Sequence, residues 1–333
     1  MNQLFSRPEQ PNKADNKPRK IGFELEFSGI DLKTTGQVIT DALAGELKII
    51  SEAECKVETT LGTFKVEVDW QFAKTTARQR INQRAQELGE ARADDPFMQW
   101  ITKLATVVVP VEVVCPPLVI ADLERLHPMV KALQQHGALG TNESVIYAFG
   151  VHINPELPSY DSQTIIAYLQ SFILAQDWLI KRHHVDMVRR VTPYINVYPE
   201  PYCDRVLHYS GDESLTQIID DYLHWNATRN RALDMLPLFM HLDKARIQDR
   251  LDDSLINARP TLHYRLPNCE IEKADWGLYK SWNVWCVLEY IANHTELRQQ
   301  LISDWCTNDQ LANCYSEKIW QQLDQIEQNL SLA

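Results

Sequence analysis

Ile21-Gly22-Phe23-Glu24-Leu25-Glu26-Phe27 alternates without a break: Ile21, Phe23, Leu25 and Phe27 share one face of an extended chain, and Gly22, Glu24 and Glu26 the other. Successive side chains of a strand point to opposite faces, so a period of two reads as a strand. One face is wholly apolar and belongs to a core. The other carries two carboxylates, which are usually kept out of strand centres and away from apolar neighbours.

The pattern recurs downstream. Glu67 and Asp69 share a face, with Val66, Val68 and Trp70 opposite, on the second arm of a hairpin that turns at Leu61-Gly62. Glu112 sits between Val111 and Val113 in a β-branched run stopped by Pro116-Pro117. His152 and Asn154 share a face of Gly150-Val151-His152-Ile153-Asn154, a strand ended by Pro155. A last short strand, Thr261-Leu262-His263-Tyr264-Arg265-Leu266-Pro267, interrupts a mostly helical half. Like charges packed this closely repel, and some take up protons unless a cation neutralises them. Mg²⁺ and Mn²⁺ favour such oxygen ligands and keep room for substrate phosphates. The wet face of a half-exposed sheet also alternates in this way. One strand alone reads as a wet face. Recurrence on several strands tips the reading toward a cation site, with the wet face as the alternative.

Around these strands, helices are expected over about 34–44, 77–93, 96–104, 121–135 and 164–183, and in a tail from about 275 onward. Residues 1–19 are polar, contain three prolines and read as a disordered leader. No linker divides the rest, so 20–330 reads as one α+β domain whose sheet takes strands from both ends.

With 33 basic and 45 acidic residues the net charge is −12, which excludes a general nucleic-acid binder that must neutralise phosphates. The seven cysteines are scattered and never spaced as CxxC, which fits buried thiols rather than disulfides or a zinc knuckle. No apolar run approaches membrane-spanning length, and the start lacks an apolar signal core. A soluble, cytoplasmic protein with no membrane partner is expected. No phosphate-binding glycine loop is present, so any nucleotide must be held by metals and the sheet face. The basic group Lys181, Arg182, His183, Arg189 and Arg190 reads as a solvated helix end, and His183-His184 as surface. Trp282 and Trp285 fit helical spacing and a core, and Cys269 reads as an inert thiol.

On these residues the chain resembles the amidoligases, relatives of glutamine synthetase and glutamate–cysteine ligase. Gly22 to Phe27 resembles the family's opening G-x-E-x-E-F strand, and Val66-Glu67-Val68-Asp69 its acidic strand. Val111-Glu112-Val113-Val114-Cys115-Pro116-Pro117-Leu118 resembles its E-[LV]-[VS]-x-P-P-L segment, and Gly150 to Asn154 its G-x-H-x-[HN] strand. His263-Tyr264-Arg265 resembles its late [E]-[FY]-R strand. The segments keep the family's order over about residues 20–290.

The resemblance implies a curved antiparallel sheet of glutamine synthetase type, with helices on its convex side and a helical C-terminal half. It implies an ATP-dependent, Mg²⁺- or Mn²⁺-dependent carboxylate–amine ligase working through an acyl phosphate on small-molecule or peptide substrates. Glu24, Glu26, Asp69 and Glu112 would bind metal, with Glu67 a further candidate. His152 would bind metal or nucleotide phosphate, Asn154 would line the nucleotide site, and Arg265 would neutralise the transferring phosphate. The family often has an acid two residues before this arginine; here that place is His263. As a metal candidate His263 suits Mn²⁺ or Zn²⁺ and serves Mg²⁺ poorly. Glu270 and Glu272 lie nearby as substitutes. A phosphotransferase on the same fold, or a catalytically silent cation-binding protein, are the alternative readings.

Overall fold

The computed structural model describes residues 3–68, 110–141, 149–185, 195–251, 256–307 and 312–332. The strand read first is β1 (Lys20–Phe27), and it lies inside a nine-stranded antiparallel sheet. The others are β2 (Glu46–Ser51), β3 (Glu54–Thr59), β4 (Gly62–Val68), β5 (Val111–Val114), β6 (Leu118–Val119), β7 (Val151–Pro155), β8 (Leu233–Asp234) and β9 (His263–Tyr264). Their spatial order is β2-β3-β4-β5-β1-β7-β9-β8, with β6 paired to the start of β1. The sheet is open.

Ile21, Phe23, Leu25 and Phe27 are fully buried on the helix-covered face, each contributing roughly 1.5–3 kcal/mol of burial. On the other face Glu24 is only 8% exposed. The wet-face alternative therefore fails at the centre of the sheet. It holds at the β2–β3 edge, where Glu46, Lys48 and Glu58 are exposed.

α1 (Leu32–Leu43) packs on β3 and β4. It starts at Asp31, whose side chain accepts from Thr34 N, and ends at Ala44 in the left-handed region (φ 52°). The expected helix over 121–135 is a 3₁₀ segment, Ile120–Leu126, followed by α2 (His127–Gln135). Pro128 sits in the first turn of α2, where its missing N–H breaks no helical bond. The helical half comprises α3 (Ser162–Arg182), α4 (Glu200–Leu207), α5 (Leu215–Asn226), α6 (Leu236–Leu242), α7 (Lys244–Gln248), α8 (Leu278–Asn293), α9 (Thr295–Thr307) and α10 (Ala312–Leu332). Trp282 and Trp285 of α8 are fully buried as expected, and α8 packs against α3 and α10. The helices expected over 77–93 and 96–104 lie outside the described residues.

The leader departs from its expectation. Phe5 is 3% exposed, Leu4 and Phe5 N–H groups bond Glu124, and Ser6 N bonds Asn283. Arg19 is fully buried in a two-pronged pair with Glu289 of α8, with Arg19 Nη1–Glu289 Oε2 at 2.8 Å. Low hydrophobicity suggested disorder, but a few anchors suffice to hold the segment. His183 is also corrected: it is 8% exposed, and its Nε2 lies 2.7 Å from the buried Tyr264 hydroxyl. Lys181 stacks over Trp320 and Arg182 pairs with Glu327, so this end of α3 docks on α10. Arg189 and Arg190 lie outside the described residues. Cys55, Cys115, Cys203, Cys269 and Cys286 are buried free thiols.

Candidate functional site

Strand register brings the singled-out residues together. Glu67 of β4 faces Glu112 of β5, and Glu112 faces Glu26 of β1. Neighbouring strands lie about 4.8 Å apart, so three carboxylates stand in one row across three strands. One step along, Glu24 faces His152 of β7. His263 of β9 faces Asp234 of β8, and Arg265 follows directly after β9. Asp69 lies outside the described residues.

The contacts centre on Glu24. His152 Nδ1 lies 3.0 Å from Glu24 Oε2, while Asn154 Nδ2 and Arg259 Nη1 donate to Oε1 at 2.9 and 3.0 Å. His263 Nε2 is 3.8 Å from Oε2. Glu26 Oε2 accepts from Gly150 N at 2.8 Å, and its Oε1 is 3.8 Å from His152 Nε2. Arg265 Nη2 approaches His263 Nδ1 at 3.2 Å and Asp234 Oδ2 at 3.7 Å. The His152 and His263 rings meet edge to face, 4.9 Å between centroids.

Burial alone would push the Glu24 carboxyl up, but the His152 hydrogen bond, with the neighbouring His263 and His152 rings and then Arg259, outweighs it and holds the group well below its usual range. Burial, reinforced by the Arg265 charge, pushes His263 well below the usual imidazole range, and Glu24 does not offset this. Its ring is therefore neutral. Burial raises the Asp234 carboxyl to about 6, against the charges of Arg265, Arg229 and Arg259.

These states fix the hydrogen-bonding roles. An ionised Glu24 can only accept, so His152 Nδ1 carries a proton, and Nε2 is turned toward Glu26. A carboxylate behind one ring nitrogen is how metal-ligating imidazoles are commonly oriented. Two groups of ligand atoms each fall within 4.8 Å of one another: Glu24, His152 and His263, and Glu26, Glu112 and His152. The first is already occupied by protein donors on both Glu24 oxygens. The second is less buried. His263 Nε2 and Asn154 Oδ1 are buried and lack hydrogen-bond partners.

Residues 17–287 match the family described as "Putative amidoligase enzyme". The chain belongs to the amidoligase family. No curated protein matches it at a significant level. The matched span of this amidoligase-family chain begins just before β1 and ends within α8, so it takes in every strand of the site. The family name is that of a ligase-type enzyme.

Glu24, Glu26, Glu112, His152, Asn154, His263 and Arg265 lie together on the sheet, with Glu67 next in the carboxylate row. Glu270 and Glu272 do not join them: Glu270 pairs with Lys273, and Glu272 accepts from Gly140 N. Two residues escaped the sequence reading. Asp234, 1% exposed, stands between Leu233 and Met235, the same signal of an acid in an apolar run that marked Glu24. Arg259 lies in Asn257-Ala258-Arg259-Pro260, which carries no periodic signal at all.

Proposed function

We propose that the protein is an ATP- and divalent-metal-dependent carboxylate–amine ligase on a glutamine synthetase-type sheet, forming an amide through an acyl phosphate. The observation that carries this reading is the second ligand group, Glu26, Glu112 and His152, on the same sheet face as Arg265. Two carboxylates and an imidazole suit Mn²⁺ and accept Mg²⁺, so the donor set fits a metal. Glu26, Glu112 and His152 Nε2 would hold it, with Glu67 at the end of the row and Asp69 a further candidate. A bound divalent cation supplies charge neutralisation for the nucleotide phosphates.

The chain's own residues do the rest. Glu24 orients His152 through Nδ1 and is itself fixed by Asn154 and Arg259. His263, neutral and buried, accepts from Arg265 through Nδ1 and turns its Nε2 proton toward Glu24, so it serves as a wall rather than a competing cation. Arg265, steadied by Asp234 and His263, presents its planar fork to the transferring phosphoryl group. A substrate carboxylate oxygen attacks the γ-phosphorus and ADP leaves. The amine nitrogen then attacks the acyl carbon, phosphate leaves, and the nitrogen loses a proton. The test is an ADP-release screen across carboxylate and amine pairs with Mg²⁺ and Mn²⁺. Amine-dependent ADP release with an amide product is expected. A stable phosphorylated product without an amide would convert the reading to a phosphotransferase.

A further inference from the structure

Among the described residues, β2 is the last strand on its side of the sheet, and the opposite edge, β8, has only two residues. An edge strand offers a row of backbone donors and acceptors to another chain. Which groups of β2 point outward follows from its neighbours. The two-residue turn Thr60-Leu61 closes β3 onto β4 at Thr59 and Gly62, and Val68 N donates to Ala53 O at 3.0 Å. Bonding direction alternates along an antiparallel strand, so the odd-numbered residues of β3 bond β4 and the even-numbered ones bond β2. Lys56 and Glu58 thus bond Lys48 and Glu46. Leu47 and Ile49 turn their N–H and C=O groups away from the sheet. The usable window is bounded at both ends. Gly45 N is held by Thr40 O at the end of α1, and a bulge after Ile49 breaks the register. Residues 45–49 remain, with Leu47 at the centre.

The charges of this window are set against their own kind. Glu46 lies directly opposite Glu58, and Lys48 directly opposite Lys56. Like charges facing each other across two strands are unfavourable. Lys48 escapes by a diagonal pair with Glu58 at 2.8 Å, while Glu46 stays against Glu58. A second copy of the strand, running antiparallel, can relieve this in one register. Centred on Lys48, the pairing sets Lys48 against Lys48. Centred on Ile49, it runs into the bulge. Centred on Leu47, it sets Glu46 of each copy against Lys48 of the other, twice over. Ile49, 53% exposed, then falls opposite Gly45 of the second copy, which has no side chain to meet it.

We propose that β2 is a self-pairing edge: two copies of the chain join through antiparallel β2 strands about a two-fold axis at Leu47, and one sheet continues through both. The contact is isologous, so it closes at two copies. The two Leu47 residues exchange N–H···O bonds, and Ile49 N–H of each copy donates to Gly45 O of the other. Glu46 and Lys48 share their sheet face with Glu54 and Glu67, so the carboxylate rows of both copies look out on the same side. Five residues per copy make a small interface, which sets the dissociation constant on the order of 10 μM.

Sedimentation equilibrium of the full chain between about 1 and 300 μM tests it. Wild type should pass from monomer to dimer across that range and go no further. Glu46→Lys places lysine against lysine across the axis and should weaken the dimer by about tenfold. Glu46→Lys with Lys48→Glu restores opposite charges across the axis and also sets Lys against Glu58 and Glu against Lys56 within the chain, so it should recover wild-type association. Ile49→Pro deletes an N–H that points away from β3 and should also weaken the dimer. Thermal melts check that each variant is folded. If Ile49→Pro does not fold, the two charge variants decide, since both change exposed side chains only. A monomer throughout the range overturns the proposal and makes Lys48 a guard against edge pairing. So does a dimer that Glu46→Lys leaves as tight as wild type, or one that the double swap fails to recover.

Discussion

Arg265 is held from behind, 3.7 Å from Asp234 Oδ2 and 3.2 Å from His263 Nδ1, so its fork is fixed before any substrate arrives. Arg265→Lys keeps one charge and loses the two-pronged geometry. Turnover is expected to fall on the order of a hundredfold or more with nucleotide affinity little changed, read from kcat against KM. Asp234 predicts a pH effect. Between its ordinary 3.8 and about 6, the folded protein holds a proton that the unfolded chain has released. Stability therefore falls as pH rises through that window, and Asp234→Asn removes that slope, a difference on the order of 3 kcal/mol between pH 4 and 7 in urea titrations. Glu24 works in the opposite sense: its depressed carboxyl stabilises the fold above the usual carboxylate range and loses that contribution as pH falls. At this scale the sequence was legible wherever an acid or imidazole interrupted an apolar alternation, as at Glu24, Glu112 and His152. Arg259 was illegible because its partner, Glu24, is far away in the chain and nothing in its neighbours marks the pairing.

Among the elements, the leader and α8 form one unit. Arg19 and Glu289 are 0% and 1% exposed, so breaking their pair strands a buried charge. Arg19→Ala is expected to cost about 3–5 kcal/mol in urea denaturation. Lys13→Ala, which breaks a more exposed pair with Glu156, should cost about 1 kcal/mol or less. Strand β2 shows why elements are missed. Its pattern has no buried side, and Ile49 and Ile50 are both more than half exposed, so the alternation that reveals β1 is absent. β8, with Leu233 and Asp234 alone, is too short for periodicity to show. Long apolar elements such as α3 and α8 were plain in the sequence because many positions report the same face.

For the whole molecule, the carboxylate row predicts stabilisation by cations. Mn²⁺ or Mg²⁺ binding relieves repulsion among Glu26, Glu112 and Glu67, so the melting temperature should rise with metal concentration by mass action. Glu26→Gln with Glu112→Gln should fold and lose most of that rise in thermal melts. The position of β1 carries a different consequence, for synthesis. β1 precedes the other described strands in the chain, yet it occupies the interior of the sheet between β5 and β7. His152, its partner on β7, follows Glu24 by 128 positions, which at ribosomal speed is a wait of roughly 6–25 s. Glu289 follows Arg19 by 270 positions, so the latch on the leader closes later still. Throughout that interval the nascent chain carries an apolar strand with open edges, the condition in which neighbouring chains on one message pair with each other. Soluble yield should thus depend on chaperone supply and translation rate more than on the stability of the finished protein.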